Sequence, residues 1–261
     1  MHDAVSPSHE LWVCHLGHVA YSDGVAIQQT LRERRVAGEL PDTLLLLEHP
    51  PVYTRGRRAG AEDLPLGEAF YLAKGIDVAS TDRGGKLTYH GPGQLVGYPI
   101  MALEDIGRYL RTMERAIVDA LARWDVHARS RADEGIDYTG VWVDDRKIAS
   151  IGVHVSRGVA THGFAVNVDV DLEPFSWVVP CGLPDVRMTS LAQELGAARA
   201  PGVRCFAKET AYRFCVAHGR RQRLVSASRL GIAATPSICG APTGARPIDT
   251  IASDPLDAVL T

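Results

Sequence analysis

The sequence lacks the features of a membrane protein, of a secreted protein and of a nucleic-acid-binding protein. No apolar run reaches the roughly 20 residues of a membrane span. Residues 1–10 contain Asp3 and Glu10 and no apolar segment typical of a signal peptide. The formal net charge is -3, from 28 Lys and Arg against 31 Asp and Glu, so no basic excess favours nucleic acid. We therefore expect a cytoplasmic protein that binds neither membrane nor nucleic acid, and we take a monomer as the default.

Cysteine is scarce and scattered, which argues against a disulfide framework and against a structural zinc site. The five cysteines form no CxxC pair, and the ten histidines include no HExxH motif. Cys14 lies in a predicted strand and Cys205 and Cys215 in a predicted helix, so we expect these three to be core thiols. Cys181 instead stands between a proline and a glycine, on a constrained turn that favours an accessible thiol. A buried, inert Cys181 is the alternative.

Hydrophobic residues make up 46% of the 261 residues, enough to build one large core. Apolar periodicity predicts strands over residues 12–16, 44–47, 77–80, 95–100, 141–143, 147–155 and 159–168, and helices over residues 22–38, 105–124, 190–196 and 203–218. Loops are predicted over residues 55–67 and 81–93. This order indicates one mixed α/β domain over residues 1–225. Residues 226–261 are rich in Ala, Pro, Thr and Gly without periodicity, so we predict a disordered tail.

The most unusual segment covers residues 82–94, where four glycines and one proline occur in thirteen residues. Such a backbone approaches a ligand closely, and Arg83, Tyr89 and His90 add polar side chains to it. The segment lacks the Gly-Lys-Ser/Thr ending of a P-loop. A predicted strand rather than a helix follows it, so it is not a dinucleotide-binding fingerprint either. A plain turn between two strands is the alternative.

Lys147 begins an apolar strand just after a turn, and most lysines in that position are solvated charges. A lysine directed into a pocket behaves differently, because desolvation lowers the pKa of an amine. A pair of Lys147 and Cys181 would then be self-consistent: the ammonium stabilises the thiolate, and the neutral amine accepts a proton from an incoming nucleophile. The two residues are 34 positions apart, so their contact is a prediction. A cysteine hydrolase with a histidine base is the alternative.

Five segments, taken in order, resemble the lipoyl/octanoyl transferase family. They are Glu48-His49-Pro50 with Val52-Tyr53-Thr54 and Gly56-Arg57; Arg83-Gly84-Gly85-Lys86-Leu87-Thr88-Tyr89-His90-Gly91-Pro92-Gly93-Gln94-Leu95-Val96; Lys147-Ile148-Ala149-Ser150-Ile151-Gly152; His162-Gly163-Phe164-Ala165-Val166-Asn167-Val168; and Pro180-Cys181-Gly182. The segment that begins at Arg83 is the most specific. This family transfers octanoyl from acyl carrier protein to lipoyl domains, and it shares an α/β fold with the lipoate and biotin ligases.

The resemblance implies an acyltransferase in which Cys181 carries the acyl group as a thioester and Lys147 is the acid and base. It implies that substrate is contacted by Arg83, Gly84, Gly85, Lys86, Leu87, Thr88, Tyr89, His90, Ser150, Ile151, Gly152, Gly163, Phe164 and Ala165. Octanoyl-acyl carrier protein would be the donor. The acceptors would be lipoyl domains of 2-oxoacid dehydrogenase E2 subunits and the glycine cleavage H protein, with no cofactor, no metal and no ATP. The implied fold is a mixed β-sheet flanked by helices.

Two alternatives remain on the same fold. Residues 54–60 faintly echo the Gly-Arg-Gly-Arg loop of biotin ligases. An ATP-dependent lipoate or biotin protein ligase would activate its acid as an adenylate and would not need Cys181. A non-catalytic acyl-binding protein would also keep its function without that cysteine.

Overall fold

The computed structural model describes residues 9–179 and 186–233. The strands are β1 Glu10–His18, β2 Thr43–Glu48, β3 Val52–Arg55, β4 Asp77–Ser80, β5 Leu87–His90, β6 Gln94–Ile100, β7 Arg129–Ser130, β8 Gly140–Val143, β9 Arg146–Ser156, β10 Val159–Asn167, β11 Arg187–Met188 and β12 Arg221–Leu224. The helices are α1 Tyr21–Val36, α2 Glu68–Ala73, α3 Ile106–Ala122, α4 Leu191–Leu195 and α5 Val203–Ala217. Among these helices, none has the length and apolar character required to cross a membrane.

The main sheet is mixed and is covered by helices, as predicted. Its strand order is β12-β1-β2-β6-β10-β9-β8-β7, with β11 added beside β9. Strand β1 runs parallel to both of its neighbours, whereas β2, β6, β10, β9 and β8 pair antiparallel. Every residue of β6 and β10 is buried, including the polar residues Gln94, His162 and Asn167. One core, which includes Met113, Ile117 and Phe214, packs α3 and α5 on the sheet, and a second includes Leu31 of α1.

A second sheet of three strands, in the order β4-β3-β5, corrects the loop predicted over residues 81–93 and adds β3, which the sequence did not predict. Pro50 and Pro51 follow β2, but the chain then enters β3, which pairs parallel with β4 and antiparallel with β5. Residues 87–90, predicted as part of a glycine-rich loop, form β5. The glycines of that segment flank a Leu-Thr-Tyr-His stretch whose side chains suit a strand, and pairing with β3 decides its conformation.

The predicted helices are present, with one corrected start. Asp105 caps α3 by accepting a hydrogen bond from the Arg108 amide (2.9 Å), and Ser190 caps α4 in the same way. Gly196 ends α4 with a φ of +81°, a conformation that glycine adopts without strain. Helix α1 begins one residue before the predicted Ser22 cap. Its N-cap is Ala20, which has no side-chain acceptor.

The cysteines follow the core prediction in two of three cases. Cys14 and Cys215 are buried, and burial raises their pKa values to about 11 and about 12. Cys205 is exposed, which contradicts the prediction. Its neighbour Phe206 points into the core, and successive residues of a helix face directions about 100° apart. Cys181 and Cys239 lie outside the described residues.

The chain stays ordered beyond the predicted end of the domain at residue 225. Ser226 caps the 3-10 helix Ala227–Leu230, Leu230 is buried, and the Arg34 guanidinium donates to its carbonyl oxygen (2.6 Å). The few apolar residues of this stretch, with Ala227 and Ile232 packed beside Leu230, form no clear periodicity, so the sequence did not indicate this packing. Residues 234–261 lie outside the described residues, and a disordered tail there stays a prediction.

Candidate functional site

A cavity of about 100 Å³ opens between the main sheet and the small sheet. One water needs roughly 10–15 Å³ of such space, so the cavity has room for a larger ligand. Fourteen of the sixteen residues named from the sequence line it: Arg83, Gly84, Gly85, Lys86, Leu87, Thr88, His90, Lys147, Ser150, Ile151, Gly152, Gly163, Phe164 and Ala165. Segments far apart in the sequence therefore meet around one space.

Tyr89 is the exception among the residues that the structure describes. Its ring packs against Tyr53 and Phe175, with both pairs of ring centroids 5.4 Å apart, and burial raises its pKa to about 12. Alternate residues of a strand face opposite sides, so Thr88 and His90 line the cavity while Tyr89 turns away from it. Tyr89 thus packs in the hydrophobic core beside this cavity, and its expected substrate contact stays a prediction.

Cys181 lies in the gap between the two described segments, and only its flanks are described. On one flank the Val179 amide donates to the Asp63 carbonyl oxygen (3.3 Å). On the other, Met188 of β11 pairs with Lys147 of β9, and the Thr189 amide donates to the Lys147 carbonyl oxygen (3.0 Å). The chain that follows Cys181 therefore returns alongside Lys147.

The Arg83 loop, residues 81–86 between β4 and β5, lies beside β9 where a neighbouring strand would otherwise pair. Strand β8 pairs with β9 only as far as Ser150. Beyond it, the Gly84 amide donates to the Val153 carbonyl oxygen of β9 (2.9 Å). Gly152 permits this approach, since a Cβ there would lie 2.9 Å from the Gly84 carbonyl oxygen. The Gly84 N–H therefore already donates a hydrogen bond that holds the loop against β9.

A second loop, residues 56–58, stacks on the first through three backbone hydrogen bonds of 2.9 to 3.1 Å. The buried Arg83 side chain ties both loops to β3, because its guanidinium donates to the Thr54 carbonyl oxygen (2.6 Å) and hydroxyl (2.9 Å). At the cavity rim, Arg58 pairs with Asp137 across 2.9 Å. Arg83 therefore has a structural role in addition to its place in the cavity wall.

Lys147 is directed into the protein, which contradicts the alternative of a solvated strand-end charge. Its side chain is 1% exposed, and it lines the cavity. The ammonium nitrogen lies 5.2 Å from the centroid of the Trp142 ring. Gly140 leaves space for the lysine, because a Cβ there would lie 2.7 Å from Lys147 Cε.

Two histidines beneath the cavity are buried and neutral at neutral pH. His49 donates from Nδ1 to the Val19 carbonyl oxygen and accepts at Nε2 from the Tyr98 hydroxyl, both at 2.7 Å. Burial lowers its pKa to about 4. His90 donates to Gln94 Oε1 (2.6 Å), and burial together with the nearby His49 lowers its pKa to about 3.

A carboxylate and two further histidines stand at the edge of the same space. His162 Nε2 lies 2.6 Å from Asp82 Oδ1, and His154 Nε2 lies 3.7 Å from Asp82 Oδ2. Burial alone would raise the pKa of Asp82, but the hydrogen bond from His162 and the charges of both histidines lower it to about 2. In residues 9–179 and 186–233, no group of three or more His, Cys, Asp or Glu could hold a metal ion.

Ten lining residues escaped the sequence reasoning: Tyr21, Arg58, Val96, Tyr98, Leu110, Ile136, Asp137, Thr139, Val153 and His162. His162 begins one of the quoted segments but was not among the expected substrate contacts. The others come mostly from α1, α3, β6 and the 3-10 helix Ile136–Tyr138. No local motif marks these residues, so only the fold brings them to the cavity.

Residues 20–214 match the family described as the lipoyl protein ligase A/B catalytic domain. The octanoyltransferase of Rubrobacter xylanophilus is 48% identical over 184 residues, covering 69% of this chain and 81% of that protein. The octanoyltransferase of Mycobacterium ulcerans is 48% identical over 193 residues, covering 69% and 78%. The octanoyltransferase of Myxococcus xanthus is 45% identical over 196 residues, which cover 71% of this chain and 54% of that longer protein.

Solved structures share the fold at low sequence identity. A crystal structure of lipoate-protein ligase A bound with ATP aligns with a TM-score of 0.69 at 17% identity, covering 83% of this chain and 89% of that one. The bipartite lipoate protein ligase of Thermoplasma acidophilum aligns with a TM-score of 0.64 at 18% identity, covering 84% and 88%. At these identities the likeness concerns the fold alone.

Proposed function

The chain belongs to the lipoyl protein ligase A/B catalytic domain family, and from that membership we propose that it transfers an octanoyl group to the acceptor lysine of lipoyl domains. Identities of 45–48% to curated octanoyltransferases support this activity. The structural observation that carries the proposal is the gathering of Lys147, the Arg83 loop and the glycine-containing stretches of β9 and β10 around one cavity.

The acyl group passes through a thioester on Cys181, with octanoyl-acyl carrier protein as the donor. Lys147 supports this part of the proposal, because a buried amine at the cavity wall is placed to exchange a proton with a reacting group. The Met188–Lys147 pairing supports it as well, since it returns the chain to β9 seven residues after Cys181. No ATP is needed, because exchange between thioesters is close to isoenergetic.

In the first step, the Cys181 thiolate attacks the carbonyl carbon of the octanoyl thioester. The new Sγ–C bond forms as the bond to the carrier's sulfur breaks. The Lys147 ammonium gives its proton to the departing thiolate and becomes a neutral amine. The carrier leaves with a free thiol, and the octanoyl group stays on the enzyme.

In the second step, the neutral ε-amine of the lipoyl-domain lysine attacks the enzyme thioester. A C–N bond forms and the C–Sγ bond breaks, which regenerates the Cys181 thiolate. The proton lost by the attacking nitrogen passes to the Lys147 amine, which restores the starting ammonium. The amide is more stable than the thioester it replaces, so this step drives the transfer.

Backbone N–H groups near the cavity stabilise the oxyanion in both steps. The Gly84-Gly85 loop and residues 150–152 are the candidate donors, because both line the cavity. The Gly84 N–H already donates to Val153, so within that loop the Gly85 N–H is the better candidate.

An apolar part of the cavity wall suits a medium-length acyl chain. It is formed by Leu87, Val96, Leu110, Ile151 and Phe164. Burial contributes about 0.8 kcal/mol for each methylene, so the six additional methylenes of octanoyl favour it over acetyl by up to about 5 kcal/mol. The chain-length preference therefore follows from burial rather than from a polar contact.

The test is the intact-protein mass after incubation with octanoyl-acyl carrier protein without ATP. We expect the wild type to gain one octanoyl group that hydroxylamine removes, and Cys181→Ala to gain none. Cys205→Ala removes an exposed thiol on α5 and should behave as the wild type. Addition of a lipoyl domain should move the mass to that domain.

Two other results of this experiment would contradict the proposal. Modification of the lipoyl domain only when ATP and free octanoate are supplied would identify a ligase of the kind that shares this fold. Release of free octanoate instead of lysine modification would identify a hydrolase, with the His162–Asp82 pair as the first candidate for its base.

A further inference from the structure

Glu114 is a buried carboxylate with no part in the mechanism above. It lies on α3 with 1% of its side chain exposed. One carboxylate oxygen accepts from the Gly140 amide (2.9 Å). The other accepts from the Ser130 hydroxyl (2.5 Å) and from the Arg111 guanidinium (2.8 Å). The Gly140 bond fixes the start of β8 to α3, and the Ser130 bond fixes β7 to the same helix.

Gly140 lies directly against the end of the Lys147 side chain. A Cβ at position 140 would lie 2.7 Å from Lys147 Cε and 3.4 Å from its Nζ. The same Cβ would lie 2.5 Å from the Ala149 carbonyl oxygen, so the backbone of β9 also packs closely here. A small shift of Gly140 therefore changes the space available to the lysine amine.

Trp142 supports the same amine from its own position on β8. Its ring centroid lies 5.2 Å from Lys147 Nζ, and its indole N–H donates to the Tyr138 carbonyl oxygen (2.9 Å). The Arg131 guanidinium also stacks on this ring, 4.5 Å from the centroid. Lys147 is thus seated between a rigid ring and the Gly140 backbone, and Glu114 holds that backbone.

We propose that Glu114 is a positioning residue for Lys147: through the Gly140 backbone it holds the amine where proton transfer requires it. Glu114 does not line the cavity and acts on the reaction only through Lys147. The inference rests on the proposed function, because that function gives Lys147 its role. Displacement of a reacting group by about 1 Å costs on the order of 10²-fold in rate.

The first test compares Glu114→Ala with Glu114→Gln, using the rate of octanoyl-thioester formation on Cys181 and the alkylation rate of Cys181 by iodoacetamide across pH. Glu114→Ala leaves the Gly140 N–H without its acceptor, so we expect both rates at pH 7 to fall about 10²-fold. Glu114→Gln keeps an oxygen acceptor and should stay within about five-fold of the wild type. The KM for the lipoyl domain should not change.

Asp42→Asn is the matched control. Asp42 is another buried carboxylate that accepts one backbone N–H, from Ala102 (3.1 Å), and pairs with the arginines at positions 35 and 220. Asp42→Asn should reduce the stability of the fold without changing the rates of thioester formation and alkylation at Cys181. Alkylation of the exposed Cys205, followed by peptide mass in the same samples, reports on general reactivity.

A double-mutant cycle separates positioning from a general structural effect. If Glu114 acts through Lys147, Glu114→Ala added to Lys147→Met should cause no further loss of Cys181 reactivity. Equal losses in both backgrounds would overturn the inference. So would Glu114→Ala rates within two-fold of the wild type. Failure of the wild type to form the thioester would instead defeat the proposed function itself.

A glycine pair provides a second route if Glu114→Ala does not fold. Gly140 and Gly135 both have positive φ angles, +138° and +124°, so alanine strains both backbones similarly. A Cβ at Gly135 meets nothing within 4 Å, whereas one at Gly140 meets the Ala149 carbonyl oxygen (2.5 Å) and Lys147 Cε (2.7 Å). We expect Gly140→Ala to lower the rates of thioester formation and of alkylation at Cys181, and Gly135→Ala to leave both rates unchanged. Equal effects would contradict the inference.

Discussion

Burial shifts the pKa values of single side chains around this cavity, and His49 is an example. It is fully buried, and its ring donates one hydrogen bond, to the Val19 carbonyl oxygen, and accepts one, from the Tyr98 hydroxyl. A second proton would have to displace the donated Tyr98 hydrogen bond and remain far from water. Burial therefore lowers its pKa from the ordinary value of 6.5 to about 4. Burial likewise lowers the pKa of His90, to about 3.

This predicts a loss of stability in mild acid. The unfolded chain binds a proton at each of these histidines below about pH 6.5, but the folded protein does so only near pH 3–4. The free energy of unfolding should therefore decrease as pH falls from 6.5 towards 4. Urea midpoints measured between pH 7 and pH 4.5 give the slope.

His49→Gln should be less stable at pH 7 but should show a shallower decrease with acid, because one titrating group is gone. His127→Gln changes an exposed histidine and serves as the control. An unchanged slope in His49→Gln would show that other groups produce the pH dependence.

Individual residues were predictable where a motif contained them. Lys147 and the Arg83 segment meet at the cavity as the sequence motifs suggested. Tyr89 stands in the same motif and yet turns away, because its position within β5 places it on the opposite face. Glu114 carries no motif at all. Its role depends on a contact between α3 and the start of β8 that only the folded chain creates.

Among the elements, the Arg83 loop replaces a missing stretch of strand along β9. A loop in this position is held by few hydrogen bonds, so its distance from the sheet depends on small side chains beneath it. Gly152 is the residue over which Gly84 lies.

We predict that Gly152→Ala lifts this loop from the sheet. The added Cβ would lie 2.9 Å from the Gly84 carbonyl oxygen, too close for normal contact. Acyl transfer should fall at least about ten-fold, and the Gly84 amide should exchange its hydrogen faster, because its bond to Val153 lengthens. Mass-spectrometric exchange and single-turnover transfer measure the two effects.

Gly158→Ala, in the turn between β9 and β10, is the control for Gly152→Ala. Its φ of +74° makes alanine strained there, but a Cβ at this position meets nothing within 4 Å. It should reduce stability by about 1 kcal/mol without changing the exchange of Gly84. An unaltered Gly84 amide in Gly152→Ala would contradict the proposed contact.

Long elements were predictable, and so were the short elements β4, β8 and α4, whereas β3, β5, β7, β11, β12 and α2 were not. Strands β2, β6 and β10 are rich in apolar residues, and α3 repeats its apolar residues with a helical period. Strand β12 consists of Arg221-Gln-Arg-Leu and has no such pattern. Its pairing with β1, more than 200 residues away, supplies the conformation that local preference does not.

At the scale of the whole molecule, the end of the described chain closes the core beside α1. Leu230 belongs to the same hydrophobic cluster as Leu31 and Cys14, and Arg34 binds its carbonyl oxygen. The folded unit therefore extends a few residues beyond the boundary indicated by composition.

A chain that ends at residue 225 should accordingly be less stable than one that ends at residue 233. The shorter chain loses a buried leucine, worth about 2 kcal/mol, and the Arg34 hydrogen bond. Chemical denaturation of the two truncated chains and of the full chain measures this difference. Equal midpoints would show that the packing of residues 226–233 contributes no stability.

The parallel pairing of β1 with β12 has a consequence for synthesis in the cell. On a ribosome that adds roughly 5–20 residues per second, β1 emerges some 10–40 s before the strand that covers its outer edge. During that interval the backbone groups along this edge have no partner from their own chain, and an unpaired edge is a template for association with other chains. Nascent chains on neighbouring ribosomes are thus most exposed to mispairing at this edge until β12 has been synthesised.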